Sequence, residues 1–407
     1  MVKKFFSAAL LALLFAFGQC DVDKLMNALN LTDIPGIEVP RIGRHRKTSD
    51  GCLTSDGFTG TCLSRFNCMR QSGAVSGFCG TYGVCCETNV QCGSSSKQKR
   101  IVLKNPVTLP TTGSCSYIIE PYSTNVCQLR IDFERFSLQQ PSQVQPTNEA
   151  VECTDRFVVN NLVLCGNNEQ QHIYIPFHVA GGMDHVQLRF ELPSRWTGTN
   201  WRLVVTQLEC PAPKRRSFLT SGNPFMNHNS LNDIRTIFST QNSDLDMLAP
   251  PGCLQYHTER SGEVRSINYN NGLGPYLPDM SYAICFKRAY NDNMMQLVNF
   301  NFELSQQRDP AMFPGFDEEC HGTVVTPMRK EDYVMIPRSM LLPAASLQPT
   351  YYCGTSIKKN DMIYSEFEVN AMVFILFLKN DIYFLYSIRY GKRSVLLSRR
   401  RRKRESE

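Results

Sequence analysis

The sequence predicts a mostly β protein: disulfide-bonded β-sandwich domains in tandem, preceded by a small disulfide knot. Three observations carry this. Seventeen cysteines in 407 residues fall into three blocks of increasing spacing. The stretches between the wider-spaced cysteines alternate apolar and polar residues with a period of two, as strands with one covered face do. The first twenty residues have the build of a secretory signal, which sets an oxidising compartment.

Residues 1–20 are that signal. Lys3 and Lys4 open it, an apolar core runs over 5–17, and the small residues Ala16, Gly18 and Cys20 close it. The run is too short for a spanning helix. Cleavage after Cys20 leaves sixteen cysteines, and an even number behind a signal reads as a disulfide framework. Zinc ligation needs Cys-x2-Cys pairs or Cys/His clusters, and the sequence has neither. Residues 21–51, with Pro35, Pro40 and no periodic run, read as a disordered lead-in. Asn30-Leu31-Thr32 within them is a glycosylation sequon at Asn30.

Residues 52–86 hold Cys52, Cys62, Cys68, Cys79, Cys85 and Cys86 among many glycines. So short a segment buries little apolar surface, so bridges worth ~2–4 kcal/mol each must hold it. Cys85 and Cys86 are neighbours, a poor geometry for a mutual bond, so each reaches back to an earlier cysteine.

Residues 92–210 are strand-rich. Leu129, Ile131 and Phe133 alternate with Gln128, Arg130 and Asp132; Ile173, Ile175 and Phe177 alternate with His172, Tyr174 and Pro176; Val186, Leu188, Phe190 and Leu192 alternate with Gln187, Arg189 and Glu191. The polar members are expected to face water. Residues 211–250 read as a polar linker with Lys214-Arg215-Arg216, and Ser230 ahead of Leu231, Ile234, Ile237 and Phe238 predicts a short amphipathic helix. Residues 253–365 again show short strands, at 297–304 and 333–336. Residues 366–407 differ in kind: an apolar run at 371–378, an interruption at Lys379-Asn380-Asp381, a second run at 382–388 and a basic end. They read as an atypical tail, an alternative end or read-through of non-coding sequence, leaving the second sandwich incomplete. Lys379 and Asp381 near the middle of the apolar stretch argue against a membrane span.

The net charge of +6 is concentrated at the end, where nine basic and two acidic side chains follow residue 388. The body is near neutral, which excludes a nucleic-acid or anionic-membrane surface of the polybasic type.

The wider blocks resemble CUB domains. Cys92-Gly93, Cys115-Ser116-Tyr117-Ile118-Ile119, the strand over 129–138, Cys153-Thr154-Asp155 and Cys165-Gly166 follow that family's pattern, and Cys353-Gly354 repeats its last element. The resemblance implies disulfide-bonded sandwiches with Cys92–Cys115, Cys153–Cys165, Cys253–Cys285 and Cys320–Cys353, and with Cys127–Cys210 as in a secreted insect subgroup. The dense block is similar to a clip-type knot, which implies Cys52–Cys85, Cys62–Cys79 and Cys68–Cys86. Many CUB domains hold calcium with one Glu and two Asp, since the ion needs several hard oxygen ligands. Asp155 matches one such position, but Gln139 and Ser194 stand where the other two carboxylates are expected. In the second domain Asp332 matches, while Ser305 replaces the Glu. The expectation is therefore no cofactor.

Catalytic patterns are absent from the sequence. It has no His-Glu-x-x-His, no Gly-x-Ser-x-Gly, no phosphate-cradling loop and no protease domain behind the clip-like block. Trp196 and Trp201 flank Gly198 and offer either an exposed ligand edge or core packing. The sequence thus implies a secreted, non-catalytic protein that binds extracellular proteins or glycans. A regulatory cofactor of clip-protease cascades and a membrane-anchored receptor are the alternatives.

Overall fold

Strands dominate wherever the sequence alternates. The computed structural model describes residues 51–80, 82–108, 113–143, 151–211, 244–275, 277, 280–288, 292–304, 315–317, 320, 332–342 and 348–366, and the backbone of 371–378 and 386–393. The signal segment, Asn30, Ser305 and the helix expected after Ser230 lie outside the described residues.

The knot contains β1 (Gly51–Leu53), β2 (Thr59–Leu63), α1 (Arg65–Arg70), β3 (Ala74–Cys79) and β4 (Gly83–Glu87). Its sheet runs β1-β2-β4-β3. Ser64 caps α1, its Oγ accepting from the Asn67 N–H at 3.2 Å. Cys68 is the only buried residue of that helix, so a bridge rather than a core seats it. Cys52–Cys85, Cys62–Cys79 and Cys68–Cys86 cross the knot. A Cβ at Gly73 would stand 2.3 Å from Cys86 Sγ and 3.1 Å from Cys68 Sγ, so glycine is what lets that bridge close.

The first sandwich follows, with β5 (Asn89–Val90), β6 (Ser95–Ser96), β7 (Arg100–Lys104), β8 (Ser114–Ile119), β9 (Val126–Ser137), β10 (Ser142–Gln143), β11 (Val151–Glu152), β12 (Arg156–Val159), β13 (Leu162–Leu164), β14 (His172–Pro176), β15 (Val186–Glu191) and β16 (Asn200–Glu209). Two five-stranded sheets, β14-β9-β16-β7-β5 and β13-β12-β15-β8-β6, face each other. The alternating apolar residues of β9, β14 and β15 meet between them and are almost fully buried. Phe190 stacks on Trp201 with ring centres 4.0 Å apart, and Trp201 Nε1 donates to Tyr117 Oη at 3.3 Å. Trp201 is therefore core, with its one polar atom satisfied. Cys92–Cys115, Cys127–Cys210 and Cys153–Cys165 fasten the sandwich.

The second sandwich holds β17 (Cys253–His257), β18 (Ser261–Arg265), β19 (Met280–Lys287), β20 (Met294–Phe302), β21 (Tyr333–Met335), β22 (Ser339–Leu342), β23 (Tyr351–Cys353), β24 (Met362–Glu366), β25 (Ala371–Leu378) and β26 (Tyr386–Arg393). Its sheets run β17-β19-β25-β21-β23 and β18-β26-β20-β24-β22, with Cys253–Cys285 and Cys320–Cys353 as bridges. The expectation that this domain is incomplete beyond 365, with 366–407 a foreign tail, needs correcting. β25 pairs antiparallel with β19 from Ala371↔Lys287 to Leu378↔Met280, and β26 sits between β18 and β20. The tail supplies an interior strand to each sheet. An unbroken apolar run of eight lacks the period of two, so alternation does not flag it as a strand. Split between two sheets, 371–378 and 386–393 do not form one continuous helix, and no helix among the described residues is long and apolar enough to cross a membrane.

Two further expectations change. The end of the predicted linker, 244–250, packs on the first sandwich: Ala249 N donates to Gln128 Oε1 at 3.0 Å, and Gln128 Nε2 donates to Ala249 O at 2.7 Å. The face of β9 and β14 expected in water is covered in large part by the second sandwich. Tyr174 is 4% exposed, and its hydroxyl donates to Met247 O at 2.9 Å. Asn268 plugs the same seam. Its Oδ1 accepts from Asn167 N at 2.8 Å, and its Nδ2 donates to Gln140 Oε1 at 3.0 Å and Pro275 O at 2.7 Å. A Cβ at Gly166, where φ is +71°, would meet Asn268 Oδ1 at 2.0 Å, so the glycine of Cys165-Gly166 also makes room for the neighbouring domain.

Candidate interaction surface

The knot is mounted on the first sandwich by one buried cation. Arg202 of β16 is 5% exposed. Its Nη1 and Nη2 donate to Glu87 Oε1 and Oε2 at 3.2 and 2.8 Å, and its Nε donates to Glu134 Oε2 at 2.7 Å. Lys104 adds a second ion pair to Glu87. The Thr59 N–H donates to Glu134 Oε1 at 2.6 Å, and the Phe58 ring lies 4.4 Å from the Arg202 guanidinium and 4.8 Å from that of Arg135. Burial alone raises the Glu87 carboxyl. The hydrogen bonds and charges of Arg202 and Lys104 outweigh it and bring the pKa to about 2. The group is thus ionised at all ordinary pH, and a bidentate guanidinium–carboxylate fork fixes both position and orientation.

Held this way, the knot turns an apolar surface outward. Leu53, Phe66, Met69, Val75, Phe78 and Tyr82 are between 41% and 93% exposed. Six of the thirteen large exposed hydrophobics among the described residues therefore lie within one short segment. Phe66 and Met69 are three apart on α1 and project from one side of it. Val75 and Phe78 lie on the edge strand β3, which Ser55 N ties to the end of β1 through Ser76 O at 3.1 Å. Arg65 and Arg70 are exposed beside them. Concentrated aromatic and Met exposure flanked by Arg is the composition of a protein-docking patch.

Asp155, the calcium candidate, is fully buried, and Ser194 occupies both of its oxygens: Ser194 N donates to Oδ1 at 3.0 Å and Ser194 Oγ to Oδ2 at 2.6 Å. Gln139 brings a neutral oxygen that is shut off from solvent and has no hydrogen-bond partner. One carboxylate already bonded to a serine does not fit the donor set of a calcium ion. Among the described residues no group of three or more His, Cys, Asp or Glu stands together as a metal cluster. Ser194 Oγ also accepts from the Trp196 N–H at 3.1 Å, and Trp196 is 40% exposed. Of the two tryptophans, then, Trp196 stands at the surface and Trp201 in the core.

A cleft of about 560 Å³ opens between the sandwiches, lined by Asn160, Asn161, Pro176, Gly252, Met280 and Ser281 among others, with no charged side chain. Sequence reasoning missed both Arg202 and His172, which organise the two joints. The one available signal is a lone Arg inside the otherwise apolar 201–205, since an interior strand keeps a charge only where it has a partner.

The two facing sheets of the second sandwich, with their interior strands β25 and β26, lead to the family. Residues 250–381 match the model of the animal CUB domain. The match runs through β25, so the run at 371–378 falls inside the domain. Both sandwiches are CUB-like in their paired sheets and cysteine bridges. None of the curated proteins matches this chain. Among solved structures, the CUB1-EGF-CUB2 domains of rat MASP-1 overlap 74% of this chain and 99% of their own at 12% identity and a TM-score of 0.23. The CUB1-EGF-CUB2 domain of human MASP-1/3 overlaps 73% and 100% at 11% identity and a TM-score of 0.21. The full extracellular region of zebrafish Gpr126/Adgrg6 overlaps 76% of this chain and 38% of its own at 9% identity and a TM-score of 0.22. At such scores these whole-chain overlaps carry no argument.

Proposed function

We propose that this chain is a secreted, non-catalytic extracellular protein that holds a protein partner on the apolar face of its knot, with the CUB-like tandem as its support. The observation that carries the reading is the exposure of Phe66, Met69, Phe78 and Tyr82 on a unit cross-linked by three bridges and locked to the sandwich through Arg202. A rigid patch loses little entropy on binding, which suits recognition. The bridges and the CUB-domain match support an extracellular setting. The test compares secreted wild type with the F66S/F78S/Y82S variant in cross-linking to extracellular fluid proteins. The wild type is expected to capture a discrete partner and the variant to lose it; identical capture would sink the proposal. Disulfide mapping shows whether the variant is folded.

The knot's bridge order supports its clip-like character and the Cys127–Cys210 bridge an insect-type one, and with them a role as a regulatory cofactor of clip-protease cascades. In that case the purified protein changes the activation rate of such a cascade, and the triple variant does not. The uncharged cleft beside Asn160 and Asn161 favours a neutral glycan as a second class of ligand. Binding on a glycan array that survives the triple variant but fails in N160A/N161A identifies it.

A further inference from the structure

Strand β14 is the edge of its sheet, and β17 of the second sandwich lies against it. His172 stands at this contact. Its Nε2 is 3.1 Å from Tyr256 N and 3.0 Å from Tyr256 O, so one ring nitrogen meets both main-chain groups of a residue in the other domain. The His257 ring from the second sandwich lies 5.0 Å away, centre to centre. On β9, Asp132 is the register partner of His172 and is clasped by Arg130, whose Nε and Nη2 donate to Oδ1 at 2.9 and 2.7 Å. Arg130 Nη1 donates to Tyr174 Oη at 3.1 Å, and Arg100 of β7 adds its positive field at Asp132. The Tyr256 ring is 6.2 Å from that of Tyr174, and burial pushes both hydroxyls upward, Tyr256 to about 12.

Among these groups Arg130 and Asp132 already neutralise one another, and both tyrosines stay uncharged below pH 10. A proton on His172 adds a positive charge without a counter-ion of its own. It also exchanges the bond that Nε2 accepts from the Tyr256 N–H for one donated to the Tyr256 carbonyl, and leaves that N–H facing a cation. We propose that the seam between the sandwiches is an acid-operated joint: proton uptake at His172 loosens the second sandwich from the first while each sandwich and the knot stay folded.

Burial first, and then the charge of Arg130, lower the ring's pKa from 6.5 to about 4, against the opposing pull of Asp132 and the Tyr256 carbonyl. A group depressed in the docked state favours docking above its free value and penalises it below. Docking is therefore complete above pH 6.5 and weakens as pH falls from 6.5 toward 4. If the undocked ring recovers its ordinary value, the docking constant falls up to about thirtyfold at pH 5 relative to pH 7.5. That range belongs to acidified compartments, where histidine is the usual sensor.

Hydrogen exchange of the full chain at pH 7.5 and 5.0, corrected for intrinsic rates, tests the joint. Wild type is expected to lose protection in 172–177 and 253–257 at pH 5 while 101–104 and 186–191 hold theirs. H172Q keeps an acceptor and a donor but cannot titrate, and is expected to give equal protection at both pH values; H257Q is expected to keep the acid response. Unchanged protection in wild type overturns the proposal, as does a response that persists in H172Q or vanishes in H257Q. If H172Q leaves the seam open at both pH values, the ring C–H resonance of His172 decides. A midpoint well below 6.5 in wild type that rises toward 6.5 in N268G supports the joint, and the same midpoint in both removes it.

Discussion

The two joints of this molecule bury polar groups in opposite ways. Between the knot and the first sandwich, Arg202 sits between Glu87 and Glu134 with Lys104 and Phe58 at its flanks. Between the two sandwiches most cross-domain bonds are made by amides, a phenol and an imidazole: Gln128, Gln171, Asn268, Tyr174 and His172; one ion pair, Lys99 to Asp244 at 2.8 Å, ties segment 244–250 to the first sandwich beside them. The first joint depends on charges that persist at any ordinary pH. The second has His172 at its centre, a group that must stay neutral, so a modest change of proton activity reaches it first. A buried ion pair holds strongly because removing one partner strands the other. A neutral network can be released without stranding a charge.

The comparison breaks most visibly at Arg202. R202A strips Glu134 of its cation and leaves Glu87 with Lys104 alone, and is expected to cost ~3–5 kcal/mol and free the knot. Chemical denaturation followed by exchange within 59–63 measures it, and a loss below 1 kcal/mol would mean that the bridges and not the ions seat the knot. N268G keeps the backbone angle of +60° but removes three side-chain bonds, two of them across the seam, for an expected ~1–3 kcal/mol. Its signature is a larger radius of gyration with all eight bridges intact.

Acid titration sharpens the contrast. The seam is expected to weaken as pH falls from 6.5 toward 4, and the knot joint only as pH falls from 4.5 toward 2, because Glu87 is depressed from 4.5 to about 2. Two separated steps in exchange protection support this order, and one shared step refutes it. S194A is a control remote from both joints. It removes one of the two bonds to the buried Asp155 and is expected to cost ~1–2 kcal/mol in the first sandwich alone. F78S, on the outer face of the knot, is expected to shift stability by less than about 0.5 kcal/mol while abolishing capture of the partner.

Alternation in β9, β14 and β15 made the first sandwich readable, because each of those strands sends every second side chain into one core. The resemblance of the cysteine spacing gave partners for each bridge, and the structure joins those same cysteines. The strand at 371–378 is illegible as a strand because its residues do not alternate, and the change of composition there mimics a domain boundary. The exposure of Phe66 and Phe78 was hidden for a different reason. Shortness tells that the knot buries little, but not which of its apolar residues stand out on one surface.

Local sequence sets the grammar of this protein: paired cysteines, period-two strands and glycines beside cysteines. Those properties depend on a residue and its near neighbours. Tertiary structure alone decided which polar residues are buried and which apolar ones are bare. His172, Tyr174 and Arg130 occupy positions that alternation assigns to water, and they are covered only because chain from 73 or more residues away packs over them. Phe66 and Phe78 stay outside, 73% and 86% exposed, while three disulfides cross the inside of the knot. Burial is set by what packs against a face, and local sequence specifies the face but not its neighbour.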